Sequence, residues 1–342
     1  MKKLLFPFTF IYSLGVFLDK LSKRPQSLGK CVISVGNITW GGTGKTPVVI
    51  ELVKYIQSLG KAPVVLTRGY NRSKHSKTPV LLSKQNNSSV SLAGDEPMLI
   101  HKSTSAPVVI GANRVAGADY AQGKIETDVF ILDDGFQHWR IKRDLDIVCV
   151  NALNPFGNGM LIPAGILREK KTALKRAGLV IITNSNLVGK EVLEKLSNEI
   201  LNITGESPIV SHYGNYSVTG LNLKDAFEIS SDSKVRLICG LGFAKGFADS
   251  VEKAGLKIAG ITNFKDHHNY VLSDIESLIR NNEVIVTTAK DAVKIDELLA
   301  RESPLRNRIA VLNINVIFDK GEDLWKQKIE RALSKINGEN IK

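Results

Sequence analysis

Cysteine is nearly absent from this chain of 342 residues. The three present, Cys31, Cys149 and Cys239, lie far apart, in no CxxC pair, and each sits in an apolar run. That pattern excludes a disulfide framework and a cysteine-based zinc site, and reads as small core residues of a protein from a reducing compartment. Histidine is scarce as well, with six in the chain. The N-terminal apolar run, Leu4 to Leu18, spans only 15 residues and is interrupted by Pro7, Thr9, Ser13 and Gly15. As a helix rising ~1.5 Å per residue it would reach roughly 22 Å, short of the ~30 Å hydrocarbon core, so a spanning helix is not expected. No internal repeat or low-complexity segment occurs. Acids are missing from residues 52 to 94, which hold seven basic residues; the acid-free stretch ends at Asp95.

What is present is a folded protein: 43% apolar residues, 23% charged and 28 glycines. The length implies two domains, each able to bury a core without disulfides or a structural metal. The 46 Lys+Arg against 34 Asp+Glu leave a net charge of +12, which points to an anionic partner: nucleic acid, an anionic membrane or a phosphorylated metabolite. Residues 1 to 30 carry six basic residues and one acid around the apolar run. A signal peptide has this shape, but no small-x-small cleavage site follows. The segment reads as a helix on the membrane surface, with a helix packed on its own domain as the alternative.

Beyond it, apolar strands alternate with helical patterns. Lys30 to Val35 is a β-branched run, followed by a glycine-rich turn and a helical spacing over Pro47 to Leu59. Further strands are predicted at Pro63 to Leu66, Pro107 to Ile110, Val129 to Leu132, Asp146 to Val150 and Leu179 to Thr183. This alternation predicts an α/β fold with a parallel sheet covered on both faces. Asn151 to Glu169, rich in Pro and Gly, is too long for an idle turn. After a crossing segment near Tyr213 to Asn222 the pattern restarts, with strands at Val235 to Cys239, Lys257 to Ile261, Val284 to Thr288 and Ile309 to Val316. That is a second, smaller α/β unit.

The strongest chemical signal is GNITWGGTGKTP, Gly36 to Pro47, between the first strand and its helix. Glycines let backbone N–H groups curl around phosphate oxygens, Lys45 can reach the β and γ phosphates, and Thr46 can ligate Mg²⁺. Thr39 stands where the strict pattern has glycine, with Gly41, Gly42 and Gly44 supplying flexibility around Thr43. Such a site needs a carboxylate at the tip of a neighbouring strand, and VFILDD supplies Asp133 or Asp134 there. Gly94-Asp95-Glu96-Pro97 opens a helix. Asp95 either caps it or serves as a general base for a hydroxyl proton, and Glu96 is a further metal candidate. Asp266-His267-His268 pairs histidine with a carboxylate, which suits proton transfer better than zinc. VRLICGLGFAKG, from Val235, resembles a dinucleotide loop, but its third glycine falls one position late and the next strand ends without a ribose-binding acid, so it reads as a tight turn.

Together with LTRGY (Leu66 to Tyr70), DDGFQH (Asp133 to His138), NPFGNGMLIPAGILRE (Asn154 to Glu169), DHHNY (Asp266 to Tyr270) and TTAKDAVK (Thr287 to Lys294), these motifs resemble the tetraacyldisaccharide 4′-kinase family of lipid A biosynthesis. The resemblance covers most of the chain in order. It implies a P-loop NTPase-type fold divided into a membrane-associated helix (1–24), a P-loop kinase domain (25–213) and a second α/β domain contributing to the active-site cleft (214–342). It also implies ATP- and Mg²⁺-dependent phosphorylation of the 4′-hydroxyl of tetraacyldisaccharide 1-phosphate at the cytoplasmic face of the bacterial inner membrane. By position in the motifs, Lys45 and Thr46 match the phosphate lysine and the metal hydroxyl. Asp95 matches the catalytic aspartate and His267, rather than His268, its histidine partner. Asp133 and Asp134 match metal-side acids, Glu169 a nucleotide-contacting acid, and Tyr70, Arg114, Gln137 and Arg168 substrate contacts. CGLGFAKGF departs from the family's commoner CGIA-type form. No protein partner is implied. Two rival classes are a P-loop GTPase or metallochaperone, for which no NKxD-type guanine reader exists, and a nucleic-acid-linked ATPase, for which no aromatic-interleaved basic motif exists.

Overall fold

The structure, a computed structural model, describes residues 6–69, 78–85, 88–230, 233–240, 244–266, 268–278 and 283–335. In chain order the elements are α1 (Phe6–Ser22), β1 (Cys31–Gly36), α2 (Lys45–Ser58), β2 (Pro63–Thr67), β3 (Val80–Leu82), α3 (Val90–Ala93), α4 (Asp95–Thr104), β4 (Val108–Ile110), α5 (Arg114–Gln122), β5 (Val129–Asp133) and β6 (Leu145–Asn151). They continue with β7 (Leu179–Thr183), α6 (Lys190–Thr204), β8 (Ile209–Thr219), β9 (Lys234–Cys239), α7 (Ala244–Lys253), β10 (Lys257–Asn263), α8 (Leu272–Glu276), β11 (Val284–Thr288), α9 (Ala289–Leu298), β12 (Ile309–Lys320) and α10 (Glu322–Ser334).

The chain forms two compact units that are not contiguous in sequence. The first comprises Met1–Arg68, Val109–Tyr213 and Val316–Lys342; the second comprises Gly69–Val108 and Gly214–Asn315. A linear division at Tyr213 therefore differs from the folded one over residues 69–108 and 316–342.

In the first unit the strands lie in the order β8-β7-β6-β1-β5-β2-β4. β1 is central, parallel to β5 on one side and β6 on the other. Every residue of β1, β2, β5 and β7 is buried. Both faces of these strands are covered, which is why they read as continuous apolar runs rather than alternating ones. α2 supplies part of the cover through Val48, Val49, Leu52, Val53 and Ile56, an i, i+3/i+4 stripe. A second cluster, with Phe136, Val148, Val150, Phe156, Leu167, Leu174 and Ile200, packs around β6 and β7. Gly36 closes β1 because a Cβ there would stand 2.6 Å from the Phe136 Cβ. The chain after β5 can therefore fold directly over the end of β1.

In the second unit β9 is parallel to β10 and to β11, and β11 is parallel to β12. Val235, Leu237, Cys239, Val286, Ala310 and Leu312 meet Phe247 and Val251 of α7 in its core. The segment expected only to cross near Tyr213 to Asn222 belongs largely to β8, an eleven-residue strand. Its outer half carries exposed and half-buried residues, so no apolar run marks it.

α1 belongs to the first unit. Phe8, Phe10, Ile11, Leu14, Leu18 and Leu21 are exposed, Phe10 by 73%, while Thr9 is buried. Lys20 rests over the Trp139 ring at 5.1 Å. One side of the helix is docked and an apolar side faces outward. Among the described residues no helix is long and apolar enough to cross a membrane.

All three cysteines are buried and none is in a disulfide. Burial pushes the thiols of Cys31 and Cys149 up to about 12, as expected of inert core residues.

Candidate active site

The loop between β1 and α2 is held from several sides. Asn37 Nδ2 donates to Thr43 Oγ1 at 2.9 Å, and Thr183 Oγ1 to the Thr43 carbonyl at 3.1 Å. Asn151 Nδ2 donates to the Gly42 carbonyl at 3.0 Å, and the Tyr213 hydroxyl to the Gly44 carbonyl at 3.3 Å. Gly44 adopts φ 73° as the N-cap of α2, and a Cβ there would collide with the Tyr213 hydroxyl at 1.7 Å. Only glycine satisfies both constraints. α2 therefore begins at Lys45 and Thr46 with its positive end toward the loop.

The register Val35↔Asp133 carries the acids of β5 to the same sheet edge. The two aspartates differ. Asp133 is the last strand residue, buried, and accepts from Thr67 Oγ1 at 2.9 Å. Burial pushes its carboxyl up and the Asp134 charge adds to this, while Lys45 opposes it. Asp134 leaves the strand at φ 52°, a left-handed conformation uncommon for a residue with a side chain. Its carboxylate lies 3.5 Å from Lys45 Nζ and accepts from Arg168 Nη1 at 2.9 Å. Burial alone would raise Asp134, but Lys45 and Arg168 outweigh it and hold the carboxyl below its usual value. The pair thus splits into one reluctant and one firmly ionised carboxyl. Arg114, the first residue of α5, is drawn below the usual arginine pKa by burial, with Asp133 and Asp134 opposing. His138 is lowered to about 4 by burial and by Arg114 and Arg143, so it is neutral at physiological pH.

Residues 151–169 are stitched to the phosphate loop. Trp40 N–H donates to the Ile166 carbonyl, Arg168 N–H to the Ile38 carbonyl at 2.8 Å, and Thr39 forms an antiparallel bridge with Leu167. This places Arg168 on Asp134 and Glu169 on Gln137, whose Nε2 donates to Glu169 Oε1 and to the Asn37 carbonyl, each at 2.9 Å. The structure thus brings Lys45, Asp133, Asp134, Arg114, Gln137, Arg168 and Glu169 of the sequence expectation together around one loop in the first unit.

Asp95 and Glu96 belong to the second unit. Asp95 is the first residue of α4, whose N-cap is Gly94 at φ 91°. It is not the cap, although its Oδ1 accepts the Glu96 N–H at 3.0 Å. The Asp95 side chain is only 6% exposed, with Oδ2 3.4 Å from Lys294 Nζ and 3.9 Å from Lys290 Nζ. Thr288 caps α9 by accepting the Asp291 N–H, which sets both lysines on one face, an i, i+4 pair. Lys290 also pairs with Asp266 at 3.5 Å, and Lys294 donates to the His268 carbonyl at 3.1 Å. The His268 ring is bound to Asp274 at 3.0 Å and stacked on Phe264. Tyr70, His267 and positions 241–243 of the VRLICGLGFAKG turn lie outside the described residues. Gly240, just before that turn, donates to buried Asp291 at 3.0 Å.

A phosphate loop beside paired strand acids is compatible with many NTPases, and comparison with known proteins decides among them. The model of the tetraacyldisaccharide-1-P 4′-kinase family matches residues 1–334. The chain belongs to this family. A tetraacyldisaccharide 4′-kinase from Halothermothrix orenii is 36% identical over 309 residues, covering 83% of this chain and 80% of the relative. One from Geobacter metallireducens is 37% identical over 305 residues, covering 85% and 84%. In structure the chain is similar to LpxK from Aquifex aeolicus, solved in complex with ATP, at a TM-score of 0.77 and 28% identity over 97% of this chain and 99% of that one. The chain is therefore a kinase that phosphorylates a hydroxyl of the lipid A disaccharide precursor. The GTPase, metallochaperone and nucleic-acid readings fall away.

Two features, one in each unit, were not singled out from sequence. Lys290 and Lys294 flank Asp95, and their spacing in TTAKDAVK was the available signal. Arg176 grips Glu169 with Nη1 to Oε2 at 2.9 Å and Nη2 to Oε1 at 3.1 Å, and no sequence pattern links the two.

Proposed function

We propose that the phosphates of ATP lie on the Gly41–Thr46 loop, that Asp95 accepts the proton of the sugar 4′-hydroxyl, and that α1 holds the enzyme on the cytoplasmic face of the bacterial inner membrane. The observation that carries the nucleotide part is the set Lys45, Asp134 and Arg168 at the end of β5. Asp134 engages Lys45, the cation that a phosphate would take. On ligand binding Lys45 moves its charge to the β and γ oxygens, leaving Asp134 paired with Arg168. Glu169 contacts the nucleotide, while Tyr70, Arg114, Gln137 and Arg168 contact the phosphorylated acceptor. His267 polarises Asp95. Neither nucleic acid nor a protein partner enters the scheme.

Magnesium fits the donors present. Thr46, Asp133 and Asp134 are hard oxygen ligands, and Glu96 is a further one. Among the described residues no cluster of three or more His, Cys, Asp or Glu could hold a metal alone. That suits an ion bound through one or two protein oxygens plus substrate phosphates. When bound, it neutralises charge on the β and γ oxygens. Chelation with EDTA is expected to stop label transfer and added Mg²⁺ to restore it, with Asp134→Asn raising the Mg²⁺ needed for half-maximal rate on the order of tenfold. Transfer insensitive to EDTA would remove the metal from the scheme.

The membrane part rests on the exposed apolar side of α1, flanked by the basic N-terminal residues. Replacing Phe10, Ile11, Leu14 and Leu18 by Ser removes side chains worth ~1.5–3 kcal/mol each on full burial. Partitioning onto anionic vesicles should fall at least about tenfold even with shallow insertion. Unchanged sedimentation with vesicles would rule out the surface helix.

A further inference from the structure

We propose that Arg176 is a positioning residue that fixes the Glu169 carboxylate for the nucleotide, an inference that rests on reading Glu169 as a nucleotide contact. Arg176 ends the 3-10 helix Lys171–Arg176. Its guanidinium lies 4.3 Å from the Phe136 ring centroid and 4.7 Å from that of Trp139. Phe136 is fully buried, so that ring is held in place by the core around it. The Arg176 Nε is buried and has no hydrogen-bond partner among the described residues. The ring contacts and the two bonds to Glu169 therefore define the guanidinium's place.

The consequence lies in the acceptor count of Glu169. An ionised carboxylate offers about four lone-pair sites. Arg176 takes one on each oxygen, and Gln137 takes a second on Oε1. One site, on Oε2, is left for a donor on the nucleotide. A bidentate fork fixes the carboxylate plane, so the direction of that site is set before the ligand arrives. Gln137 carries the same constraint to the phosphate loop through the Asn37 carbonyl. The side chains of Glu169 and Arg176 are 10% and 26% exposed. At that burial the pair gains little net stability from its charges, which makes geometry its more valuable product. Lysine would keep the charge but neither the fork nor the stacking.

The test measures KM for ATP and kcat for the full-length enzyme and for Arg176→Lys, Glu169→Gln and the double variant, with thermal unfolding of each. Arg176→Gln stands in should the lysine variant fold poorly. We expect Arg176→Lys and Glu169→Gln each to raise KM for ATP roughly tenfold with kcat changed about twofold or less, and the double variant to match Glu169→Gln alone. An Arg176→Lys enzyme with KM near wild type, while Glu169→Gln is impaired, overturns the positioning role and leaves the Glu169 reading intact. A double variant whose KM is the product of the two single effects also overturns it. Glu169→Gln with unaltered KM removes the nucleotide contact itself, and the proposal with it.

Discussion

Asp95→Asn is expected to lower kcat by about 10² to 10⁴, with KM for ATP little changed. The amide keeps the shape of the carboxylate and can still accept the Glu96 N–H that Asp95 Oδ1 accepts at 3.0 Å. It cannot take a proton from the sugar hydroxyl. It also leaves Lys290 and Lys294, 3.9 and 3.4 Å from Oδ2, facing a neutral group. Because the side chain is nearly buried, some loss of stability is expected, so thermal unfolding has to accompany the kinetics. A variant that is folded at the assay temperature and turns over within a few-fold of wild type would remove Asp95 as the base.

Lys45→Ala should be comparably damaging for a different reason. Removing the lysine at the start of α2, proposed to lie on the phosphates, should cost on the order of 10² to 10³ in kcat, the scale for losing one transition-state charge stabiliser. KM for ATP should rise as well, since this charge also binds the ground state. The substitution leaves Asp134 with the Arg168 pair and without the Lys45 one. Lys45 contributes to holding that carboxyl low, so in Lys45→Ala the Asp134 carboxyl should titrate higher than in wild type. Carboxyl titration by NMR reads this directly, and an unmoved Asp134 would mean the ion pair is not formed in solution.

These two residues illustrate what the sequence made legible. Lys45 follows from a glycine loop between a buried strand and an amphipathic helix, a pattern local enough to read in twelve residues. The central strands were equally plain, because complete burial writes itself as uninterrupted Val, Ile and Leu. The difference between Asp133 and Asp134 was not plain. It depends on where β5 ends and on a left-handed φ at Asp134, which turns one carboxylate toward Thr67 and the other toward Lys45 and Arg168.

The sequence allows Asp95 as either cap or base, and the backbone separates the two: Gly94 is the cap residue and Asp95 already lies in the helix. Its lysine neighbours come from α9, far along the chain, and only folding shows that their face meets Asp95. Arg176 was illegible for a related reason. It sits on a short 3-10 helix, where no apolar period marks which side chain turns inward. β8 is hard to read because its outer half mixes exposed, half-buried and buried residues, and a polar strand of that kind resembles a linker. The assignment of residues 69–108 and 316–342 to their units is a tertiary outcome; the acid-free stretch of residues 52–94 runs across the boundary at 69 without marking it.

The most direct test of the account follows label from γ-labelled ATP with the purified chain and Mg²⁺, offering the disaccharide 1-phosphate, RNA, DNA or no acceptor. Transfer is expected to the glycolipid alone, at its 4′ position, and is expected to be lost in Asp95→Asn. Label released as free phosphate at the same rate with and without the glycolipid would contradict it.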